Sequence, residues 1–369
     1  MALIQLILQN FFSFIFIISI IVFIHEFGHF YVARLCGVKI DEFALGFGKE
    51  LIGFNDKKGT RWKFCLIPLG GYVKMYGDKN GASMPDLEAA KNMPEEEKKK
   101  SFIFKNVYQR IAIVGAGPIA NFLLAITIFT FLFQVNGVST VMPVIGEVVE
   151  NSAAAEAGLQ KGDKVLSVDA KEIADFEEIR EIVSQSADKK LQLKILRNEE
   201  VINVEVTPKF KVTKDLFGDE IKVGMLGVAS SAVSYQELNF GQSFIHANKE
   251  TYRVSIAIFK AIGELVTGRR SLEELGGPIK IATYTGKTVD MGIVAVLWFM
   301  AMISVNLGVM NLLPVPVLDG GHLFYYLCEV IFRKPLPQKA QQIGFQLGFS
   351  LVIALMLLTT FNDVRGLFN

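Results

Sequence analysis

Apolar residues in this chain run in four long blocks, and the segments between them alternate instead. Residues 11–24 are apolar apart from Ser13 and Ser19, and the pattern resumes from Phe30 to Ala33. Residues 111–135, 291–313 and 344–361 form the other three blocks. About 20 apolar residues, at ~1.5 Å of rise each, cross the hydrocarbon of a bilayer. The blocks predict four membrane-spanning helices, over 1–36, 106–136, 291–318 and 344–369.

The intervening segments carry other periods. Residues 44–54 and 60–76 are rich in β-formers around a Pro-Leu-Gly-Gly break, which predicts a β-hairpin or small sheet lying against the membrane. Residues 77–100 are rich in Lys and Glu and read as a solvated linker, completing a loop over 37–105. Residues 139–210 predict a small α/β module: strand, short helix closed by Gly158, strand, amphipathic helix, then an alternating hairpin. A strand and a long amphipathic helix with an apolar stripe (Phe240, Phe244, Val254, Ile258, Ile262) are expected within 211–290. A short helix and a basic loop are expected over 319–343.

Composition agrees with a membrane protein. The chain is 51% hydrophobic and has 30 Phe, too many for an ordinary soluble enzyme of this length. A net charge of +1 provides no basic stripe for nucleic acid, so no nucleic-acid partner is expected. The three cysteines, Cys36, Cys65 and Cys328, make no CxxC pair. No Lys or Arg precedes Arg34, so the first block lacks the basic start of a cleavable signal and is expected to remain. Basic residues follow the first span, precede the second (Lys98 to Lys100, Lys105, Arg110) and lie between the third and fourth (Arg333, Lys334, Lys339). The positive-inside rule then puts these loops in the cytoplasm, and both termini and the α/β module outside.

One polar cluster breaks the first span. His25, Glu26 and His29 form H-E-x-x-H within an apolar helix. A charged group at bilayer depth costs about 2.5–3.5 kcal/mol on insertion scales, which makes it a functional-site hypothesis by default. On a helix the two histidines share a face and can reach one metal, with Glu26 displaced around the helix to hold a water and take its proton. A zinc hydrolase of this type needs a third ligand. The third span runs the same way as the first and ends in NLLPVPVLDGGH, which brings Asp319 to the same leaflet. His322 is the rival, and an expected tight turn at Gly320-Gly321 favours Asp319. Pro314 and Pro316 cannot sit in a regular helix interior, so unwound backbone is expected beside the carboxylate. Gly115, Gly117, Pro118 and Asn121 in the second span read as close helix packing.

HEFGH on a first helix, NLLPVPVLDGG on a later one, and AAAEAGLQKGDKVLSVD in the module between them together resemble the site-2 protease family. AGPIANF, GFGKE, IPLGGYVKM and GGPIKIA extend the resemblance over essentially the whole chain. It implies a fold of four transmembrane helices with a membrane-associated β-hairpin or sheet and one inserted PDZ domain, where well-known members have two. It also implies a zinc metalloendopeptidase with one Zn2+ per chain, in a bacterial inner membrane, with the PDZ domain periplasmic and the site toward the cytoplasmic leaflet. The implied substrates are transmembrane segments of single-span proteins, such as trimmed anti-sigma factors and signal-peptide remnants, with lipid as the surrounding partner. His25, His29 and Asp319 match the zinc ligands, Glu26 the catalytic base, and Asn311 the asparagine that contacts substrate backbone. Gly46, Phe47 and Gly48 match the membrane-associated β-loop. Phe64, Cys65, Leu66, Ile67 and Pro68 match the segment that offers an edge strand to unwound substrate. A non-catalytic PDZ scaffold is the alternative, against which Glu26 argues, since a scaffold has no use for it.

Overall fold

The computed structural model describes residues 2–78, 93–184, 186–214, 220–230, 233–268 and 276–366. These fall into two compact units, residues 1–132 with 242–369 and residues 133–241. Within the first, helix α1 (Ala2–Leu35) holds the H-E-x-x-H cluster. It ends at Gly37, whose positive φ of 70° turns the chain into β1 (Ile40–Asn55). β1 pairs with β2 (Arg61–Met75). Left-handed glycines at Gly46, Gly48 and Gly70 accompany shifts of register, so the two long strands fold over on themselves. Arg61 to Phe64 consequently pairs on both sides, with Glu42–Leu45 and with Ile52–Asn55. Residues 71–75 pair only with Ile40–Leu45.

The sheet is fastened to α1 at both ends. Phe43 stacks on Trp62 with ring centroids 4.3 Å apart, and both meet Phe30 of α1 edge-on. At the turn, Asp56 receives Arg34 of α1, the Trp62 indole N–H and the backbone N–H groups of Lys58 and Thr60. Burial works to raise the Asp56 carboxyl, but these hydrogen bonds outweigh it and hold it at about 2. Part of the Lys/Glu-rich linker, residues 79–92, lies outside the described residues, and Glu95–Lys98 is a single helical turn. Helix α2 (Val107–Asn136) follows. Gly28 of α1 lets it approach closely, since a Cβ there would run into Ala116 O and lie 2.8 Å from Ala120 Cβ.

The second unit contains β3 (Val138–Val141), β4 (Ile145–Val148), β5 (Lys164–Val168), β6 (Lys171–Glu172), α3 (Phe176–Ser184), β7 (Leu191–Arg197) and β8 (Glu200–Val206). It continues with β9 (Lys209–Lys214), β10 (Glu220–Met225), β11 (Val228–Ser230) and β12 (Val233–Gln236). Its central sheet runs β6-β5-β7-β8. The core includes Ile145, Leu159, Val165, Ile179, Leu193 and Ile195, of which Leu193 and Ile195 are inward positions of the alternating hairpin read from sequence. The short strands β11 and β12 return to pair with β4 and β3, where sequence reasoning expected a single strand. Each is only three or four residues long, too short to carry a periodic signal.

The chain re-enters the first unit in α4 (Phe240–Val266), followed by α5 (Pro278–Asp290), α6 (Ile293–Leu312), α7 (Asp319–Phe332) and α8 (Gln338–Gly366). Helices α1, α2, α6 and α8 are each long and apolar enough to cross a membrane. Between α6 and α7 the chain is unwound over residues 313–318, where Pro314 and Pro316 exclude helix. Val317 has a φ of 124° there, a strained conformation for a β-branched residue. Gly320 and Gly321, expected to make a turn, instead lie in the first turn of α7. They are needed for space, because Cβ atoms there would strike the carbonyls of Leu312, Leu313 and Val315.

Candidate metal centre

Three side chains from two helices converge. His25 and His29, one turn apart on α1, bring their Nε2 atoms to 3.3 Å of each other. Asp319, the first residue of α7, points Oδ2 to 3.1 Å from His25 Nε2 and 3.4 Å from His29 Nε2. The three atoms form a nearly equilateral triangle. The corners of a tetrahedron with ~2.0–2.1 Å metal–ligand bonds lie about 3.3–3.4 Å apart, so three protein atoms here fill three of four corners and leave one open. Both histidines are buried, at 7% exposure. Asp319 Oδ2 is buried without a hydrogen bond, as expected of an atom whose partner is a cation. The residues fit a zinc ion.

The groups behind the ligands come from α2. Ile113 O lies 2.9 Å from His29 Nδ1 and can only accept, so Nδ1 carries the proton and Nε2 keeps its lone pair for a metal. The Asn121 side-chain amide lies 3.1 Å from His25 Nδ1. Gly117, between them, faces both rings: a Cβ would overlap His29 Nε2 and come within 2.9 Å of His25 Cε1. Gly117 and Asn121, read from sequence as packing positions, therefore stand directly against the histidines. The H-E-x-x-H spacing made the histidines legible, but nothing in the sequence links them to a residue 96 positions away.

A cavity of about 520 Å³ opens over the triangle. Its walls include Glu26, Asn311, Phe47, His322, Phe345 of α8 and the strand Gly70–Val73. Glu26 and Asn311 thus share the cavity with the cluster, as expected. His322, the rival ligand, also lines it but stands outside the three-atom group. It lies three residues further along α7, so about 4.5 Å of helix rise and not a Gly-Gly turn separates it from Asp319.

The segment expected to offer an edge strand stands away from the cavity. None of Phe64, Cys65, Leu66, Ile67 and Pro68 lines the cavity. Phe64 is already paired on both sides, with Leu45 and Ile52, while Cys65 pairs with Glu50 and Ile67 with Phe47. The strand that borders the cavity with one side unpaired is Gly71–Met75. Gly46 and Gly48 act through Phe47: a Cβ on Gly46 would strike the Ile67 carbonyl, and the Phe47 ring packs over Gly70.

Comparison with known proteins extends the picture along the whole chain. The model of peptidase family M50 matches residues 13–355. A protein of Agrobacterium fabrum named among the zinc metalloproteases is 41% identical, covering 96% of this chain and 95% of its own length. One from Rickettsia conorii, named likewise, is 40% identical over 97% of this chain and 99% of its own. The metalloprotease MmpA of Caulobacter vibrioides is 34% identical over 96% and 94%. A PDZ domain of an SdrC-like protein from Listeria innocua aligns with 26% of the chain at 14% identity and a TM-score of 0.20, too low to bear on the fold.

Proposed function

The chain belongs to peptidase family M50 as a zinc metalloprotease, and on that premise we propose that it cuts transmembrane segments of single-span proteins within the bilayer. The observation that carries this reading is the triangle of His25, His29 and Asp319, in which both histidines sit on a helix long and apolar enough to span a membrane and Asp319 follows the end of another by a short unwound segment. A water-filled cavity at that depth is where irregular backbone such as 313–318 is tolerated.

His25, His29 and Asp319 would hold one zinc. When bound, the ion supplies a Lewis acid that polarises a peptide carbonyl and makes water acidic enough to attack near neutral pH. Glu26 takes the proton from that water and delivers it to the leaving amine. Asn311, which lines the same cavity, donates to the substrate backbone near the scissile bond. A transmembrane substrate arrives as a helix with its amides satisfied, so a few residues must unwind, at about 1 kcal/mol per hydrogen bond. The unpaired side of Gly71–Met75 beside Glu26 offers these residues new partners by strand addition.

The second unit is a single PDZ domain facing the periplasm. A groove of about 330 Å³ between α3 and residues 224–228 supports this assignment, lined by Phe176, Ile179, Val183 and Met225. Substrates are anti-sigma factors already trimmed outside and remnant signal peptides, in the inner membrane, with the metal toward the cytoplasmic leaflet. The test is cleavage of a single-span helix by the purified chain in lipid, wild type against Glu26→Gln. The reading expects cuts within the apolar segment by wild type alone, and cuts confined to soluble flanks overturn it.

A further inference from the structure

We propose that Asn121 is a positioning residue of the metal site, whose amide sets which ring nitrogen His25 offers. The inference rests on the zinc reading above. A histidine that ligates through Nε2 must carry its proton on Nδ1, and that proton needs an acceptor. His29 has a fixed one in the carbonyl of Ile113. His25 has an amide instead, which can donate or accept.

In the structure, Asn121 Nδ2 faces His25 Nδ1 at 3.1 Å. In that arrangement the amide donates, Nδ1 accepts, and the His25 proton sits on Nε2, toward Asp319 Oδ2 at 3.1 Å. Asn121 is fully buried, and its Oδ1 accepts no hydrogen bond. A buried carbonyl oxygen without a donor costs about 1–3 kcal/mol. Half a turn about the last side-chain torsion exchanges the two atoms. Oδ1 then accepts the proton of Nδ1, the orphaned oxygen is satisfied, and His25 Nε2 presents a lone pair beside those of His29 and Asp319. The ring stays neutral: as the cation enters, it releases its Nε2 proton to water and takes one at Nδ1, so the proton changes nitrogen with no net loss. An amide can serve both arrangements, whereas an apolar side chain serves neither.

The local fold is arranged for this contact. Ile113, Gly117 and Asn121 recur every fourth residue on α2 and so lie along one face. Gly117 leaves room for both imidazoles. Ser304 of α6 donates to the backbone carbonyl of Asn121 at 2.8 Å, a contact between α6 and α2 that does not involve the side-chain amide. The plainer role, a polar residue that packs α2 against α6, explains the Ser304 contact but not an amide against an imidazole with its oxygen unsatisfied.

Zinc affinity of the stripped full-length protein, measured in detergent against a chromophoric chelator, tests this. Asn121→Leu and Asn121→Ala should bind zinc about 10–100-fold more weakly than wild type. Asn121→Asp should stay near wild type, because a carboxylate accepts the Nδ1 proton as well as an amide does. Ser304→Ala, which removes only the helix–helix hydrogen bond, should lower the thermal midpoint and leave zinc affinity unchanged. Metal-free thermal midpoints separate loss of fold from loss of ligand, and if the Leu variant does not fold, the Ala and Asp variants decide. Wild-type affinity in Asn121→Ala, or an equal fall in Asn121→Asp, overturns the proposal alone. A wild-type chain that binds no zinc overturns it together with the metal reading.

Discussion

Two carboxylates with buried oxygens are treated in opposite ways in this molecule. Asp163, in the second unit, is 1% exposed and fully provided for. Arg197 reaches it twice, through Nε and Nη2 at 2.7 Å each, and the Gln160 N–H adds a third hydrogen bond at 2.8 Å. Burial works to raise its carboxyl, but the Arg197 hydrogen bonds, the Gln160 N–H and the Arg197 charge outweigh it and lower it. Asp319 has no such donor: its buried Oδ2 faces two imidazole nitrogens. Asn121 Oδ1, one layer behind, is also unsatisfied. Most buried polar groups in folded proteins find partners, so exceptions call for a reason. At Asp163 the satisfied charge holds the fold, and at Asp319 the oxygen left to two imidazoles marks the candidate metal site.

Breaking the second kind should cost function first. Glu26→Gln should leave zinc bound and lower cleavage by about 10²–10⁴-fold, the usual share of a general base. His25→Ala, His29→Ala and Asp319→Ala should each lose zinc and activity together, as metal analysis of the purified variants would register. Full turnover in Glu26→Gln would sink the assignment of the base. Zinc retained in Asp319→Ala but lost in His322→Ala would transfer the third ligand to His322.

Breaking the first kind should cost stability instead. Arg197→Leu leaves a buried carboxylate alone, at about 3–5 kcal/mol. Hydrogen exchange in β7 and β8 of the full chain should rise, with zinc content unchanged. The same pair predicts a pH dependence. Because the folded Asp163 carboxyl lies below its ordinary range, its contribution is complete above about pH 4 and lost as pH falls further. Exchange protection of β7 and β8 should fall first in acid for wild type, and less so in Asp163→Asn. Equal acid sensitivity in both would remove Asp163 from the explanation.

What the sequence made legible follows the same division. His25 and His29 are four residues apart on one helix, so local periodicity alone brought them together. Asp319 could be reached by topology, because two spans of the same direction end at one leaflet. Asn121 could not, since its contact with His25 depends on how closely α1 and α2 cross at Gly28, and a glycine-rich helix face reads as packing. The sheet was legible as a hairpin but not in its layering. Arg61 to Phe64 sits between two partners only because β1 folds back at Gly46 and Gly48. That fold closes both sides of Phe64 and leaves Gly71–Met75, not the singly paired Cys65 and Ile67, beside the cavity, an arrangement no alternation pattern records. In the second unit, β11 and β12 were missed because three- and four-residue strands depend on the partners they return to.

The smallest expected effect concerns that unpaired edge. Gly70 and Gly71 are adjacent but constrained differently. Gly70 has a φ of 87° and its Cβ position is filled by the Phe47 ring, so any substitution there strains backbone and packing at once. Gly71 lacks the positive φ, and only space is at issue. A Cβ on it would stand 2.8 Å from the Ala44 carbonyl and 3.1 Å from both Glu26 Cγ and Val22 Cγ1. The Ala44 carbonyl belongs to the paired strand and cannot move far, so the added methyl displaces Glu26. Gly71→Ala should therefore keep zinc affinity close to wild type, lower the thermal midpoint slightly through the Ala44 carbonyl, and lower kcat on the order of tenfold, because small displacements of a catalytic group are costly. Gly71→Val should fall further, since its second methyl also intrudes on the edge where substrate backbone would pair. Substrates already unwound near the cut, with glycine or proline there, should regain little with Gly71→Ala, whose fault is the base, and no more with Gly71→Val. If helix-breaking substrates rescue Gly71→Ala fully, the strand acts on substrate unwinding and not on the placement of Glu26.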